Sequence, residues 1–356
     1  MNQLKAMFEL NPSNRDHIPA FRIAFGIAVP LLLLLAINRL DLAIYATFGA
    51  FTGLFARHES RRSRFLRQSL AGTILTLCAL TGAIMSWYMV GFWVIVVVTS
   101  FISSGAAMLA AQYNLRPAGS IFFVFAVSAI ASIHGGQEGV HPLLATVVAA
   151  VTAGFCVVLG AFAHLIGEGP QPGSETLPDQ TYTHRELRGH GLRFFIAPLV
   201  AGFLGVLSVT TIPELSHPYW AMVAGVAPLT PPHHAGRIQR ALQRILGTLA
   251  GVVTAAFLLS FPTLPWQVVV WIIILQFLGE IYIGRNYALA LTFITPVALM
   301  MTQMAHPIPV DALLLARTIE TVIGAFVAMG IVALGYSIDN PHIVIKFGQT
   351  MKNESR

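Results

Sequence analysis

The residues with the clearest chemical potential are ionisable side chains that stand inside long apolar runs. Arg317 and Glu320 are three positions apart, and Glu280 lies in an earlier run. Residues three apart are neighbours on one helix face. An ionisable group inside a membrane span costs roughly 2.5–3.5 kcal/mol on insertion scales, so it should be paired or functional. We expect Arg317 or the cytoplasmic arginines to meet an anionic substrate, and Glu320 or Glu280 to titrate in proton coupling. The alternative is a structural Arg317–Glu320 ion pair.

Two sets of arginines follow two unusually short apolar runs. Each set recurs at helical spacing and should line one helix face; the sets are Arg57, Arg61 and Arg64, and Arg237, Arg240 and Arg244. Their ordinary role is to orient the chain and contact lipid head groups. The alternative is a vestibule that concentrates anions, because a guanidinium group can bind a carboxylate through two hydrogen bonds. Both interpretations remain open from the sequence.

Aromatic side chains stand close to several of these positions. Tyr219 and Trp220 follow His217 by two and three positions, and Tyr287 follows Arg285 by two. Tyrosine and tryptophan usually anchor a membrane protein at the lipid–water interface. The alternative is a stacking surface for an aromatic substrate.

The composition indicates which elements must position these residues. The chain has 356 residues, of which 56% are apolar and only 10% charged, and its mean hydropathy is +0.72. Soluble domains usually carry about 25% charged residues, so lipid must replace water around much of this chain. The apolar runs are unbroken rather than alternating, which indicates helices and not a barrel. The predicted fold class is an all-α polytopic membrane protein embedded in a lipid bilayer.

The apolar runs predict about twelve transmembrane helices, arranged as two parallel six-helix repeats. The predicted spans are 21–37, 42–56, 69–88, 91–111, 118–134, 143–166, 192–210, 219–230, 245–261, 265–283, 286–304 and 312–336. Residues 66–73 align with residues 241–248, which indicates the repeat. The predicted domains are residues 1–167 and 192–336, a cytoplasmic linker at 168–191 and a cytoplasmic tail at 337–356. Parallel repeats usually enclose the substrate path, and short Gly/Pro-interrupted spans such as the second and eighth point to the transport site. The alternative is that their small residues only allow close helix packing.

The charges predict the orientation of the chain. With the N-terminus in the cytoplasm, all of the 21 Lys and Arg residues except Arg39 and Arg317 fall on the cytoplasmic side or at that membrane edge. The predicted outer loops instead carry acidic residues, namely Asp41, Glu138, Glu214 and Asp311. An excess of Lys and Arg is typical of the cytoplasmic loops of membrane proteins. We expect a bacterial inner-membrane protein with both termini cytoplasmic, and with a membrane-surface helix over residues 1–10 as a weaker expectation.

Soluble-enzyme chemistry and nucleic-acid binding find no support. The sequence has no phosphate-binding glycine loop, no paired Cys/His metal spacing and no nucleophile elbow, so we expect neither an enzyme nor a cofactor or metal. Cys78 and Cys156 both lie in apolar runs and should only pack there. The isoelectric point of about 9.6 follows from the basic cytoplasmic loops, so no nucleic acid is needed to explain it.

Several segments of the second half resemble the fusaric acid resistance and aromatic acid exporter family. The segments are residues 217–221, 237–251, 285–288, 292–296 and 317–325, and the family often has an acidic residue at the position of Glu320. The resemblance implies a bacterial inner-membrane exporter of aromatic or other weak organic acids, with the proton gradient as a candidate driving force. The six-helix unit is also similar to the plant malate channels, which keeps a passive organic-anion channel open.

Two further classes of membrane protein are compatible with the sequence. The stretch from Gly53 to Arg62 nearly matches the loop motif of major-facilitator transporters, but Arg57 stands where that motif has an acidic residue. A membrane scaffold without transport is the second class, and a homo-oligomer is compatible with any of these functions. The span at 143–166 has no ionisable residue before His164. We therefore expect the second half to carry nearly all the buried charge.

Overall fold

The computed structural model describes residues 9–133, 136–170, 181–212, 215, 217–231, 233–262, 264–305 and 307–339, and all regular secondary structure within them is helical. The α-helices are α1 (His17–Ala36), α2 (Ala43–Ala50), α3 (Arg61–Trp87), α4 (Phe92–Gln112), α5 (Ile121–Ala131), α6 (Pro142–Phe162), α7 (His184–Thr211), α8 (Tyr219–Val226), α9 (His234–Leu259), α10 (Pro265–Tyr282), α11 (Tyr287–Ala305) and α12 (Val310–Asp339). Residues 1–8, which hold most of the predicted surface helix, Glu214 and residues 340–356 lie outside the described residues, as does the side chain of Glu138.

Nine helices of the described residues are long and apolar enough to cross a membrane. Three shorter apolar helical segments accompany them, namely Leu40–Leu54, Ile121–Ala131 and Tyr219–Leu229. Many large apolar side chains remain exposed on the outer helix faces; Leu33, Phe101, Val151, Phe257 and Phe326 are each more than half exposed. Since water would oppose that exposure and lipid does not, the chain is a multi-pass membrane protein with an all-helical fold.

Three long helices begin well before the apolar runs that predicted them. The runs begin at residues 69, 192 and 245, whereas α3, α7 and α9 begin at Arg61, His184 and His234. Side-chain caps explain two of these starts, because they satisfy backbone N–H groups that a helix start leaves unpaired. The Ser60 hydroxyl accepts a hydrogen bond from the Ser63 N–H at 3.3 Å. Thr183 forms a capping box with Glu186.

The predicted helical face of Arg57, Arg61 and Arg64 does not form. Helix α3 begins at Arg61, so Arg57 lies in the turn before the helix. The cap at Ser60 separates Arg57 from Arg61 and Arg64, and the three side chains contact different partners. Residues at helical spacing therefore share no helix face when the helix begins between them.

The two short helices α2 and α8 form the centre of the fold. All eight residues of each are buried. Helix α2 packs against α6, where Gly49 faces the backbone of Ala149, and α8 packs against α12, where Gly324 faces the backbone of Ala221 and Gly225. Small residues let helices in a membrane approach this closely. The longer helices surround this pair.

The part of the chain before residue 167 and the part after residue 184 meet along a surface that we call the seam. The seam consists of four helix pairs: α1 with α10, α4 with α7, α2 with α11 and α5 with α8. Both short helices α2 and α8 take part in it. The seam therefore runs through the centre of the fold.

Candidate functional site

The first turn of α8 carries two buried aromatic rings, and one of them lies beneath a buried arginine. Tyr219 is 4% exposed and Trp220 is fully buried, although the aromatic-anchor interpretation predicts that they lie at the lipid–water interface. That interpretation is wrong for both, because α8 lies inside the helix packing. Helix α12 crosses α8 and brings the Arg317 guanidinium carbon to 5.1 Å from the centre of the Trp220 ring. A cation over an indole face is stabilised by the ring quadrupole.

Glu320 is buried at the same helix start. Its carboxylate faces the backbone N–H groups of Trp220 and Ala221, where the positive end of a helix favours a negative charge. Neither carboxylate oxygen makes a hydrogen bond of ordinary geometry to a described residue. Arg317 and Glu320 also form no ion pair within 4.0 Å in the described part of the chain. The simple structural Arg317–Glu320 pair is therefore wrong.

Two further arginines reach the same region from α9. The Arg244 Nη1 donates a hydrogen bond to the Tyr287 hydroxyl at 2.8 Å, and the Arg240 guanidinium lies 4.0 Å from the centre of the Tyr287 ring. Arg317 is within electrostatic range of Arg244 and of the Tyr287 hydroxyl. We call Arg240, Arg244, Arg317, Glu320, Tyr287 and Trp220 together the inner cluster.

The inner cluster contains buried polar atoms without hydrogen-bond partners among the described residues. They are Nε of Arg240 and Arg244, Nε and Nη1 of Arg317, both carboxylate oxygens of Glu320, the Trp220 indole nitrogen, and the nearby hydroxyls of Thr248, Thr295 and Thr321. An unsatisfied buried donor or acceptor costs about 1–3 kcal/mol, so native proteins rarely leave one alone. Three guanidinium groups and one carboxylate also leave an excess of positive charge. The arrangement can accept an anion or ordered water.

The first half holds a different arginine cluster that the sequence did not reveal. The Arg22 Nε and Nη2 bind both carboxylate oxygens of Glu168 at 2.7 and 3.1 Å. Arg64 donates to the carbonyls of Ala56, Gly160, Glu59 and Glu168 at 2.8–3.3 Å. The expectation that the second half carries nearly all the buried charge is therefore wrong. Little in the sequence indicates the Arg22–Glu168 pair, because Glu168 follows the last apolar run of the first half and belongs, by composition, to the predicted linker.

The arginines fix the charge state of Glu168. Burial alone raises the pKa of this carboxyl, but the charge and hydrogen bonds of Arg22, together with the charges of Arg64 and His58, outweigh burial and hold the pKa below its ordinary value. Glu168 is thus an ionised internal partner for two buried guanidinium groups. Every guanidinium nitrogen of Arg22 and Arg64 donates a hydrogen bond to Glu168 or to a backbone carbonyl, so none of these nitrogens is left without a partner for a ligand to supply.

Three of the remaining predicted site residues, Glu280, Arg285 and Arg237, make their contacts elsewhere. Glu280 forms an ion pair with Arg57 across the seam and accepts a hydrogen bond from Gln276 at 2.6 Å. The Arg285 Nε donates to the Asn11 carbonyl at 3.0 Å, and the Arg237 Nε donates to the Pro231 carbonyl at 2.8 Å. His217 stacks on Trp220 with ring centres 4.8 Å apart. Of the predicted residues, the structure brings His217, Tyr219, Trp220, Arg240, Arg244, Tyr287, Arg317 and Glu320 together.

No group of three or more His, Cys, Asp or Glu side chains in the described residues could hold a metal ion. Cys78 and Cys156 are both buried, and neither forms a disulfide bond.

The match to a known protein family lies in the half of the chain that contains the inner cluster. Residues 196–331 match the family described as "Fusaric acid resistance protein-like". The second half is similar to that family over these residues. This finding confirms the resemblance that the sequence motifs carried. The fusaric acid resistance protein-like segment includes α8 to α11, most of α7 and most of α12, and therefore every residue of the inner cluster.

Two bacterial relatives share part of the chain. An uncharacterized protein of Synechocystis sp. (strain ATCC 27184 / PCC 6803 / Kazusa), slr1298, is 27% identical over 161 residues, which is 45% of this chain and 20% of the relative. The uncharacterized membrane protein YvaC of Bacillus subtilis (strain 168) is 31% identical over 112 residues, which is 31% of this chain and 18% of the relative. The alignments thus span about a fifth of each relative's length. No solved structure matches the chain.

Proposed function

We propose that this chain is a transporter that exports small organic anions, with aromatic and other weak organic acids as the substrate class and the inner cluster as the anion-binding site. The observation that carries the proposal is the set of buried guanidinium N–H groups on Arg317, Arg244 and Arg240 that have no hydrogen-bond partner among the described residues. Guanidinium groups bind carboxylates strongly when their N–H groups are free to do so. The fusaric acid resistance protein-like match supports a transport role for the same residues.

The proposed path runs between two parallel repeats of six membrane segments each, counting the three short helices as segments. Corresponding helices pack in corresponding ways: α2 on α6 and α8 on α12, α3 on α5 and α9 on α11. The seam contacts also correspond, because the fourth helix of each half packs against the first helix of the other. Halves related by an axis along the membrane normal produce this pattern.

The proposed location is the bacterial inner membrane, with both termini in the cytoplasm. The basic turns before α3 and the basic starts of α7 and α9 then face the cytoplasm, as the positive-inside bias requires. Both relatives come from bacteria. In this orientation the turn between α3 and α4 faces outward.

We assign Glu320 as the residue that couples export to protons. Its buried carboxylate has no hydrogen-bond partner among the described residues and lies within electrostatic range of Arg317. A proton on Glu320 would leave Arg317 free to bind the substrate carboxylate, whereas an ionised Glu320 would compete for Arg317. The coupling thus follows from competition of two carboxylates for one guanidinium group.

A flux assay with purified protein in liposomes tests the proposal. The substrates are benzoate-type acids and dicarboxylates, and uptake is measured with and without an imposed proton gradient. We expect benzoate accumulation that requires the gradient. Flux that only follows the substrate's own gradient would indicate a passive channel, and no flux of any acid would contradict transport and favour a scaffold.

A further inference from the structure

A short segment before α1, residues 9–11, lies across the turn between α10 and α11, and we call this segment the clasp. The Asn11 N–H donates a hydrogen bond to the Arg285 carbonyl at 3.1 Å, and the Arg285 Nε donates back to the Asn11 carbonyl at 3.0 Å. The Asn11 Nδ2 adds a longer contact to the Gly284 carbonyl at 3.5 Å. The Gly284 and Arg285 carbonyls lie beyond the end of α10, so the clasp pairs backbone groups outside the helix.

Asn286 connects the clasp to the start of α11. Its Nδ2 donates to the Glu9 carbonyl at 3.1 Å, and its Oδ1 accepts a hydrogen bond from the Leu289 N–H at 3.0 Å. The second contact is an N-cap, because it satisfies one of the backbone N–H groups that the first turn of a helix leaves unpaired. Asn286 is only 7% exposed. One buried side chain therefore binds the clasp and holds the first turn of α11.

That first turn begins with Tyr287, a member of the inner cluster. The Tyr287 hydroxyl accepts the hydrogen bond of Arg244, and the Tyr287 ring lies beneath Arg240. The Nε atoms of both arginines have no hydrogen-bond partner among the described residues. Tyr287 thus holds two guanidinium groups of the proposed anion site, and the cap at Asn286 holds the backbone of Tyr287.

The clasp and the turn belong to different halves of the chain. The clasp precedes α1, the turn follows α10, and α1 and α10 form one of the four helix pairs of the seam. The Arg57–Glu280 ion pair crosses the seam at the same end of α10, since Glu280 lies two residues before Tyr282, the last residue of the helix. The clasp therefore connects the seam to the inner cluster.

We propose that Asn286 is a positioning residue of the anion site and that the clasp acts through it, so that contact between the two halves sets the affinity for the anion. The inference rests on the proposed function, because the affinity is that of the inner cluster. Groups that are already held in place lose less freedom on binding, so the clasp raises the affinity by keeping Tyr287, Arg240 and Arg244 in position. Release of the clasp weakens binding without removing any group that contacts the anion.

The test breaks the clasp from both sides. Asn11→Pro removes the backbone N–H that donates to Arg285, because proline has none, whereas the matched control Asn11→Ala keeps it. Asn11 is exposed, so neither change disturbs the helix packing. Asn286→Ser keeps an oxygen that can cap α11 but lacks the amide that donates to Glu9. Each variant is assayed in liposomes for exchange of labelled against unlabelled benzoate, which gives a half-saturation concentration and a maximal rate.

We expect Asn11→Pro and Asn286→Ser each to raise the half-saturation concentration about 3- to 10-fold, the worth of one net hydrogen bond, with the maximal rate within about twofold of the wild type. Asn11→Ala should match the wild type. The double variant that combines Asn11→Pro with Asn286→Ser should be no weaker than the poorer single variant, because both changes break one connection. A wild-type half-saturation concentration in both single variants would overturn the inference, and so would effects that add in the double variant.

Hydrogen exchange tests the clasp without any transport. The backbone amides of residues 287–290 should exchange faster in Asn11→Pro than in Asn11→Ala or the wild type, because the first turn of α11 opens more readily once the clasp is lost. Equal rates in the three proteins would overturn the clasp. A wild type that shows no benzoate exchange would instead overturn the proposed function, and the two failures are thus distinguishable.

Discussion

Two arginine clusters in this protein solve the same chemical problem differently. In the first half, Arg22 and Arg64 direct their N–H groups at Glu168 and at backbone carbonyls. In the second half, Arg317 and Arg244 retain buried N–H groups without a partner among the described residues. A buried guanidinium group needs an anion or several acceptors. The first cluster finds them within the chain, and we propose that the second takes one from outside.

The first prediction concerns Glu168. Glu168→Gln leaves two guanidinium groups buried without their anion, and breaking a buried pair in this way costs about 3–5 kcal/mol. The pKa of Glu168 lies below its ordinary value in the folded protein, so the pair's contribution to stability is present above about pH 4.5 and is lost as the pH falls through the folded-state pKa. We expect a lower melting temperature for the variant at pH 7 and no further loss from this group on acidification. Thermal melts in detergent between pH 7 and pH 3 measure both.

The control for Glu168 is Asp41→Asn. Asp41 pairs with Arg39 at 2.9 Å, but both side chains are nearly half exposed, and exposed pairs contribute about 0–1 kcal/mol. Asp41→Asn should hardly change the melting temperature at either pH. If Glu168→Gln melted like the wild type at pH 7, the Arg22–Glu168 pair would not stabilise the fold.

The residues of the inner cluster were more predictable than their contacts. The spacing of Arg317 and Glu320 within an apolar run was enough to single them out, and aromatic side chains close to His217 and Arg285 added Trp220 and Tyr287. The contacts were not predictable, since the Arg22–Glu168 pair joins positions 146 residues apart and the Thr302–Tyr219 pair joins positions 83 apart. No local pattern relates such positions.

At the scale of elements, the crossing of α8 and α12 decides where Arg317 and Glu320 point. Gly324 lies one turn after Glu320, and a Cβ there would come within 2.6 Å of the Ala224 Cβ and 2.7 Å of the Gly225 backbone nitrogen. Backbone atoms cannot yield as a flexible side chain can. The glycine therefore sets the distance between the two helices, and with it the position of the inner cluster.

The second prediction compares two glycines of α12. Gly324→Ala should push α12 away from α8 and lower stability by about 1–3 kcal/mol, the usual cost of overpacking. Gly330→Ala on the same helix meets nothing within 4 Å and should be neutral or stabilising by up to about 1 kcal/mol, because alanine favours the helix. Thermal melts of the two variants provide the comparison. Equal melting temperatures would show that the α8–α12 contact is not tight.

The helices were predictable from hydropathy, but several ends were not. Apolar runs located α4, α10 and α11 to within one residue at either end. They placed the starts of α3 and α7 eight residues late, because capped, charged helical turns at Ser60 and Thr183 continue each helix beyond its apolar run. Hydropathy reports which residues lipid can surround, whereas caps and backbone hydrogen bonds decide where a helix begins.

At the scale of the whole molecule, the proposed orientation makes a third prediction. Met89 lies in the turn between α3 and α4 and is 60% exposed, whereas Arg62 lies at the exposed start of α3. The two variants compared are Met89→Cys and Arg62→Cys. A membrane-impermeant maleimide should label Met89→Cys, and not Arg62→Cys, in intact cells. The native Cys78 and Cys156 are 3% and 1% exposed and should stay unlabelled. The reverse labelling would invert the orientation.

The central claim is that the inner cluster binds the anion that the protein transports. The most direct measurement is benzoate uptake into liposomes by the wild type, Arg317→Gln and Arg39→Gln. Arg317 is buried in the cluster, whereas Arg39 is an exposed arginine paired with Asp41. Loss of a buried charged hydrogen-bonding group costs about 2–5 kcal/mol of binding, so Arg317→Gln should reduce uptake at limiting benzoate at least about 30-fold, and Arg39→Gln should leave it unchanged. Equal uptake by the wild type and Arg317→Gln would contradict the account.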